Sequence, residues 1–153
     1  MKIAVTEDEI ATQEETLLTA NTEITVRFSE VDSMNIVWHG SYVLYFEDAR
    51  EAFGKKYGLA YLDIFGNGYY APLIDLKFNY KKPLVYGDQA LIEITFKNST
   101  AAKLIFDYKI YNLKNDSLVA IGSSTQVFLD QEYQLQWTNP QFFEEWKRKW
   151  RLL

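Results

Sequence analysis

Cysteine is absent from this chain of 153 residues, and histidine occurs once. Disulfides, thiolate nucleophiles and Cys-ligated zinc are thereby excluded, and a metal site would have to rely on carboxylates around a single imidazole. Basic excess is missing too. The net charge of −5 argues against a general nucleic-acid binder, whose electrostatic footprint is basic. No apolar run reaches the ~20 residues that a membrane-crossing helix needs. The opening "MKIAVTEDEIATQEETLL" turns acidic within a few residues, unlike a secretory signal. No repeat, low-complexity tract or internal linker interrupts the chain. A soluble, cytoplasmic, single-domain protein over residues 1–153 is expected, with no membrane span and no nucleic-acid partner.

What is present is apolar and aromatic. Hydrophobic residues make up 48% of the chain and aromatics 16%, enough for a proper core at this length. Residues 1–20 carry Glu7, Asp8, Glu9, Glu14 and Glu15 and read as a solvated N-terminal arm. "TEITVRF" then alternates, placing Ile24, Val26 and Phe28 on one face of a strand. From Tyr42 the period lengthens. Tyr42, Tyr45, Phe46, Ala49, Phe53 and Tyr57 recur at three and four, one apolar stripe on a long helix. Ser41 is placed to cap that helix, and Gly58 to end it in a left-handed turn.

Alternation then resumes in "LIDLKFNY", "ALIEITF" and "LIFDYKIY", whose inward sets are Ile74, Leu76, Phe78 and Tyr80, then Ala90, Ile92, Ile94 and Phe96, then Leu104, Phe106, Tyr108 and Ile110. "LVAIGSSTQVFLD" is a further strand, in which Gly122 signals a bulge or a close neighbour. Residues 138–153 read as a closing helix capped by Thr138 or Asn139. One long helix amid consecutive antiparallel strands predicts an α+β layer fold, the sheet wrapping the helix. A one-layer sheet leaves edges open, and dimerisation is a common cover for them.

The densest stretch is "RFSEVDSMNIVWHGSYVLYFEDAR", Arg27 to Arg50. Asp32 lies between strand and helix, where a carboxylate commonly forms a turn with nearby backbone. It also lies a few residues upstream of a helix start, whose free N–H groups and dipole suit a developing oxyanion. Both readings stand on pattern alone. His39 invites a triad with Ser29, Ser33 or Ser41, yet no G-x-S-x-G elbow surrounds any serine, and orienting a turn or lining a pocket fits it better. Glu30 reads as support for Asp32. Glu47 forms either a surface ion pair with Arg50 or an inward-leaning carboxylate. Lys81 and Lys82 read as a solvated turn, or as phosphate contacts.

The segment "VRFSEVDSMNIVWHGSYVLYFEDAR", with the later "PLVYGDQALIEI", resembles the signature of the hotdog-fold acyl-CoA thioesterases, in the 4-hydroxybenzoyl-CoA thioesterase and YbgC-like group. The likeness covers residues 22–130 in element order. It implies a hotdog fold and hydrolysis of an acyl-thioester. Asp32 matches the catalytic aspartate, and His39 the position whose backbone amide polarises the carbonyl. Val37, Trp38, Tyr42, Phe46 and Glu47 become candidate substrate-binding residues, the aromatic helix face and inner sheet face holding the acyl chain. Coenzyme A enters as part of the substrate, and no separate cofactor is implied. The resemblance also implies active sites at a dimer interface, in a homodimer or homotetramer. One departure is Asn35, where the family commonly has glycine; asparagine tolerates the left-handed backbone better than other residues.

Two other readings remain open. An acyl-ACP thioesterase would show a basic patch near its pocket, with Lys55, Lys56, Lys81 and Lys82 the residues concerned. A non-catalytic acyl-binding module would engage Asp32 in a salt bridge.

Overall fold

The computed structural model describes residues 17–153. The acidic run from Glu7 to Glu15 lies outside the described residues. Five antiparallel strands form one sheet: β1 (Thr19–Thr25), β2 (Leu73–Tyr80), β3 (Gln89–Lys97), β4 (Lys103–Asn112) and β5 (Ser117–Val127). Their spatial order is β1-β3-β4-β5-β2. Helices α1 (Ser41–Tyr57), α2 (Tyr61–Gly66) and α3 (Gln141–Lys149) complete the described elements. None of them is long and apolar enough to cross a membrane.

The expected stripe on α1 is the core. Tyr42, Tyr45, Phe46, Ala49 and Phe53 are buried, facing the inward rows of β3 and β4, which are buried along their whole length. Phe46 packs its ring 4.3 Å from Tyr108 and 5.0 Å from Phe78. Phe53 meets Phe106 and Phe96, and Trp146 of α3 closes that end. Gly122 has the close neighbour its sequence context predicts. A Cβ there would lie 2.9 Å from the Phe46 ring and 2.8 Å from the Lys77 carbonyl oxygen. Gly58 ends α1 at φ 76°, as the left-handed stop requires.

Local expectations fail in five places. The first strand runs Thr19–Thr25, so Thr19 and Ala20 belong to the sheet and not to an arm. Phe28 is 78% exposed and sits in a 3₁₀ turn over Phe28–Glu30. The Glu30 carboxylate accepts the Arg27 amide at 2.7 Å and so turns the chain before the strand period can reach Phe28. Ser41 is not a cap; Gly40 takes that position, and the Ser41 hydroxyl donates to the Glu30 carbonyl at 3.2 Å. Neither Thr138 nor Asn139 caps α3. The first turn closes on the Pro140 carbonyl, which accepts from Phe143 and Glu144 at 3.0 and 3.1 Å. The expected inward row of β2 is exposed at both ends: Ile74 at 57%, because the register of β2 against β5 shifts between Leu73 and Asp75, and Tyr80 at 47%.

Helix α2 is new. Its six residues are too short to show a period, but the Asp63 carboxylate accepts the Ala60 amide at 2.8 Å and starts it.

Candidate active site

Residues 31–37 form a small hairpin, bridged between Val31 and Val37. Asp32 builds its tip. The Asp32 amide donates to the Ile36 carbonyl at 2.8 Å, and its own carbonyl accepts from Asn35 at 3.0 Å. Its Oδ1 accepts from the Met34 amide at 2.8 Å, and from Ile36 at 3.5 Å. Asn35 takes the left-handed conformation at φ 60°, so the residue in glycine's place does make the turn. The turn-forming reading of Asp32 is therefore realised. It does not exhaust the carboxylate, since both hydrogen bonds fall on Oδ1. Among the described residues Asp32 forms no salt bridge.

The hairpin is framed on its far side by the segment from Leu84 to Asp88. Val37 donates to the Leu84 carbonyl at 2.8 Å, and Ile36 bridges Val85. Gly87, at φ 84°, allows the tight turn in which the Asp88 carboxylate accepts the Val85 amide at 3.0 Å. The same turn holds the chain before the hairpin, through Val26 N–H to the Asp88 carbonyl at 2.8 Å. The Pro83–Asp88 segment thus fixes where Asp32 stands.

The chain leaves the hairpin at Trp38, whose amide donates to the Glu30 carbonyl at 2.8 Å, and enters α1 three residues later. The His39 imidazole is exposed and leans on the Trp38 ring, centroids 4.8 Å apart. Its carbonyl accepts the Tyr80 hydroxyl at 3.2 Å. Its amide donates to no described residue. Asp32 is half-buried nine residues before α1, and the free His39 amide stands two residues before it, where the helix dipole favours negative charge. That combination can hold a carbonyl carbon near a carboxylate and its oxygen near a donor.

The other named residues are distributed differently. Val37 is buried beneath the hairpin, Tyr42 and Phe46 are core residues, and Trp38 is exposed. Burial, with Tyr80 adding to it, pushes the Tyr42 hydroxyl up to about 12. Burial likewise raises Tyr108 to about 12, despite its 2.7 Å hydrogen bond with Ser124. Glu47 lines a groove of about 780 Å³ beside α1, walled by Tyr61, Tyr69, Tyr70 and Tyr133 and floored by Leu104 and Phe106. Asp32 and His39 do not line it.

The residue that sequence reasoning missed in the groove is Arg50. Glu47 is the exposed member of their pair, 52% against 17%, with Arg50 Nη2 3.5 Å from Glu47 Oε1. Arg50 Nη1 is buried and donates to nothing in the described residues. An i,i+3 acid–base pair reads as surface, and only the fold reveals that its basic member is drawn inward. Glu47, Asp48 and Glu51 also line the groove, so its fixed charge is mainly negative. No cluster of potential metal ligands occurs among the described residues.

Residues 26–147 match the family model of the thioesterase-like superfamily. The chain belongs to that superfamily. It is accordingly a thioester hydrolase with the hotdog fold. The chain is 34% identical over 110 residues to YneP of Bacillus subtilis, a protein named for acyl-CoA thioesterase activity, covering 72% of this chain and 79% of that one. It is 25% identical to the chloroplastic acyl-acyl carrier protein thioesterase ATL3 of Arabidopsis thaliana, over 72% of this chain but 58% of that protein. Among solved structures, the DHNA-CoA thioesterase from Staphylococcus aureus superposes with a TM-score of 0.78 at 27% identity, over 87% of this thioesterase and 91% of that chain.

Proposed function

We propose that this thioesterase hydrolyses an acyl-CoA, with Asp32 as the catalytic carboxylate and the His39 amide as oxyanion donor. The observation that carries this reading is the pairing just described, a carboxylate whose turn hydrogen bonds use one oxygen and a free amide at a helix start. In one form Asp32 attacks the thioester carbon, CoA leaves as thiolate, and water cleaves the resulting mixed anhydride. In the other Asp32 takes a proton from the water that attacks. Either way the carbonyl oxygen gains negative charge beside the His39 amide, a donor already in place before the reaction. Water is the one co-reactant; no separate cofactor takes part, and CoA is substrate.

The same reading makes the molecule a homodimer, joined through the free side of β2. Strand β2 ends the sheet, and an uncovered edge invites pairing. Its outward row carries Asp75 and Lys77. An antiparallel pair with Leu76 on the two-fold axis sets Asp75 of one copy against Lys77 of the other. It also sets Tyr80, which reaches His39, against Pro72 of the second copy, and Pro72 lines the groove. The groove of one copy thus receives the acyl group attacked at Asp32 of the other. Further pairing of dimers gives a homotetramer.

A carrier-protein substrate is the second reading, favoured by exposed Lys81 and Lys82 directly after Tyr80. The test is a hydrolysis screen over short, long and aromatic acyl-CoAs, with matched acyl-ACPs, for the wild type and Asp32→Asn. Loss of turnover in Asp32→Asn with the assembly intact supports the assignment, and the better carrier separates the two substrates.

A further inference from the structure

We infer that Glu30 and Tyr45 are positioning residues that clamp the Asp32 hairpin onto the first turns of α1, an inference that rests on Asp32 and the His39 amide being the reacting pair. The sequence marks Glu30 only as support for Asp32, and Tyr45 only as core.

Glu30 accepts four hydrogen bonds. Its Oε1 accepts the Arg27 amide at 2.7 Å and the Tyr45 hydroxyl at 3.1 Å. Its carbonyl accepts the Trp38 amide at 2.8 Å and the Ser41 hydroxyl at 3.2 Å. Two of these partners, Ser41 and Tyr45, belong to α1, and both are buried. Trp38 immediately precedes His39. Glu30 stands two residues before Asp32. The residue therefore ties together the entry of the hairpin, its exit and the helix that receives it.

Packing alone does not call for a hydroxyl at position 45. A phenylalanine would fill the same space against Tyr42, whose ring lies 5.8 Å away edge-on. A buried phenol needs a partner, and a carboxylate acceptor makes a strong one. Burial, and after it the neighbouring Glu30 carboxylate, favour keeping the Tyr45 proton on its oxygen. A carboxylate and an oxyanion donor work only when their separation is fixed, and a misplacement of ~1 Å can cost on the order of a hundredfold in rate.

The experiment measures kcat and KM for Tyr45→Phe and Ser41→Ala on the best acyl-CoA, each alone and in the Asp32→Asn background. Amide hydrogen exchange at Asp32, Val37 and Trp38 is followed in the same proteins. Tyr45→Phe is expected to lower kcat about tenfold with KM within about twofold, to have no further effect once Asp32 is replaced, and to speed exchange at Asp32 and Trp38. Glu30→Gln, which keeps an acceptor oxygen, is expected to recover most of the kcat that Glu30→Ala loses. An unchanged kcat in both Tyr45→Phe and Ser41→Ala overturns the inference. So does an equal loss in the Asp32→Asn background, which marks a general effect on the fold. Unaltered exchange overturns it whatever the kinetics. Full activity of Asp32→Asn itself refutes the catalytic reading instead, a result distinct from these.

Discussion

The Tyr80 hydroxyl donates to the His39 carbonyl at 3.2 Å. This contact joins the last residue of the edge strand to the residue before the cap of α1, across 41 positions of sequence. It links the surface proposed to pair two copies with the amide proposed to bind the oxyanion. In that proposal assembly and catalysis share one structural element.

The strand pairing predicts a charge-reversal pattern. Lys77→Glu places like charges opposite each other at two symmetric positions and is expected to raise the dimer dissociation constant about tenfold or more, since like charges directly opposed destabilise a sheet. Combining it with Asp75→Lys restores complementarity and is expected to recover most of the loss. Sedimentation equilibrium reads both. Dimers indifferent to the single change would place the interface elsewhere.

Gly122 tests the core. Alanine there must displace either the Phe46 ring or the Lys77 carbonyl, and overpacking of this kind costs ~1–3 kcal/mol. Thermal melting is expected to fall by roughly 2–12 °C, given the entropy of unfolding of a domain of this size. An unchanged midpoint would mean that the glycine serves no packing need.

Alkaline stability follows from the buried phenols. Tyr42 and Tyr108 are pushed up to about 12, and Tyr45 is raised further, in each case chiefly by burial. Their unfolded values lie near 10. A raised folded value means that the unfolded chain releases the protons first. The stabilisation is complete below about pH 10 and is lost as the pH rises from there toward 12. Melting curves between pH 8 and 12, with phenolate absorbance recorded alongside, are expected to show unfolding and ionisation together. Ionisation of these tyrosines within a still-folded protein would contradict it.

Arg50 bears on selectivity. Its buried, unpartnered Nη1 makes it a poor stabiliser, and replacing such a group by an apolar side chain of similar size is often neutral or stabilising. Arg50→Met is expected to melt at or above the wild-type temperature. Its preference among acyl-CoAs is expected to move by about tenfold toward plain alkyl chains, because one methylene-scale contact or a lost polar contact in a pocket is worth that much. Unchanged ranking over the acyl panel would remove Arg50 from the acyl groove.

Much of this architecture is legible in the chain because α1, β3 and β4 each carry an uninterrupted period, so one face per element settles their role. Legibility fails where a side chain overrides the period locally. The Glu30 carboxylate takes the Arg27 amide and ends β1 before Phe28, and the Ser41 hydroxyl turns to the Glu30 carbonyl instead of capping its own helix. For the site, the motif singles out Asp32 and His39 as candidates, and the Asn35 turn forms as its conformational tolerance predicts. The groove was not legible. It is assembled from α1, α2 and the segments near residues 70 and 130, which no local spacing connects. Tyr42 and Phe46 look like pocket residues from their chemistry but face the filled core.

The most direct measurement of the central claim is a single turnover of acyl-CoA in ¹⁸O-labelled water by wild type and Asp32→Asn, read by mass spectrometry of both product and protein. If Asp32 activates water, wild type is expected to form labelled carboxylic acid and leave Asp32 unlabelled; if Asp32 attacks directly and water opens the anhydride at the aspartyl carbon, the label enters Asp32 and the first product acid is unlabelled. Asp32→Asn is expected to lose at least a hundredfold in rate while remaining folded and assembled. Near-full turnover in Asp32→Asn would contradict the account.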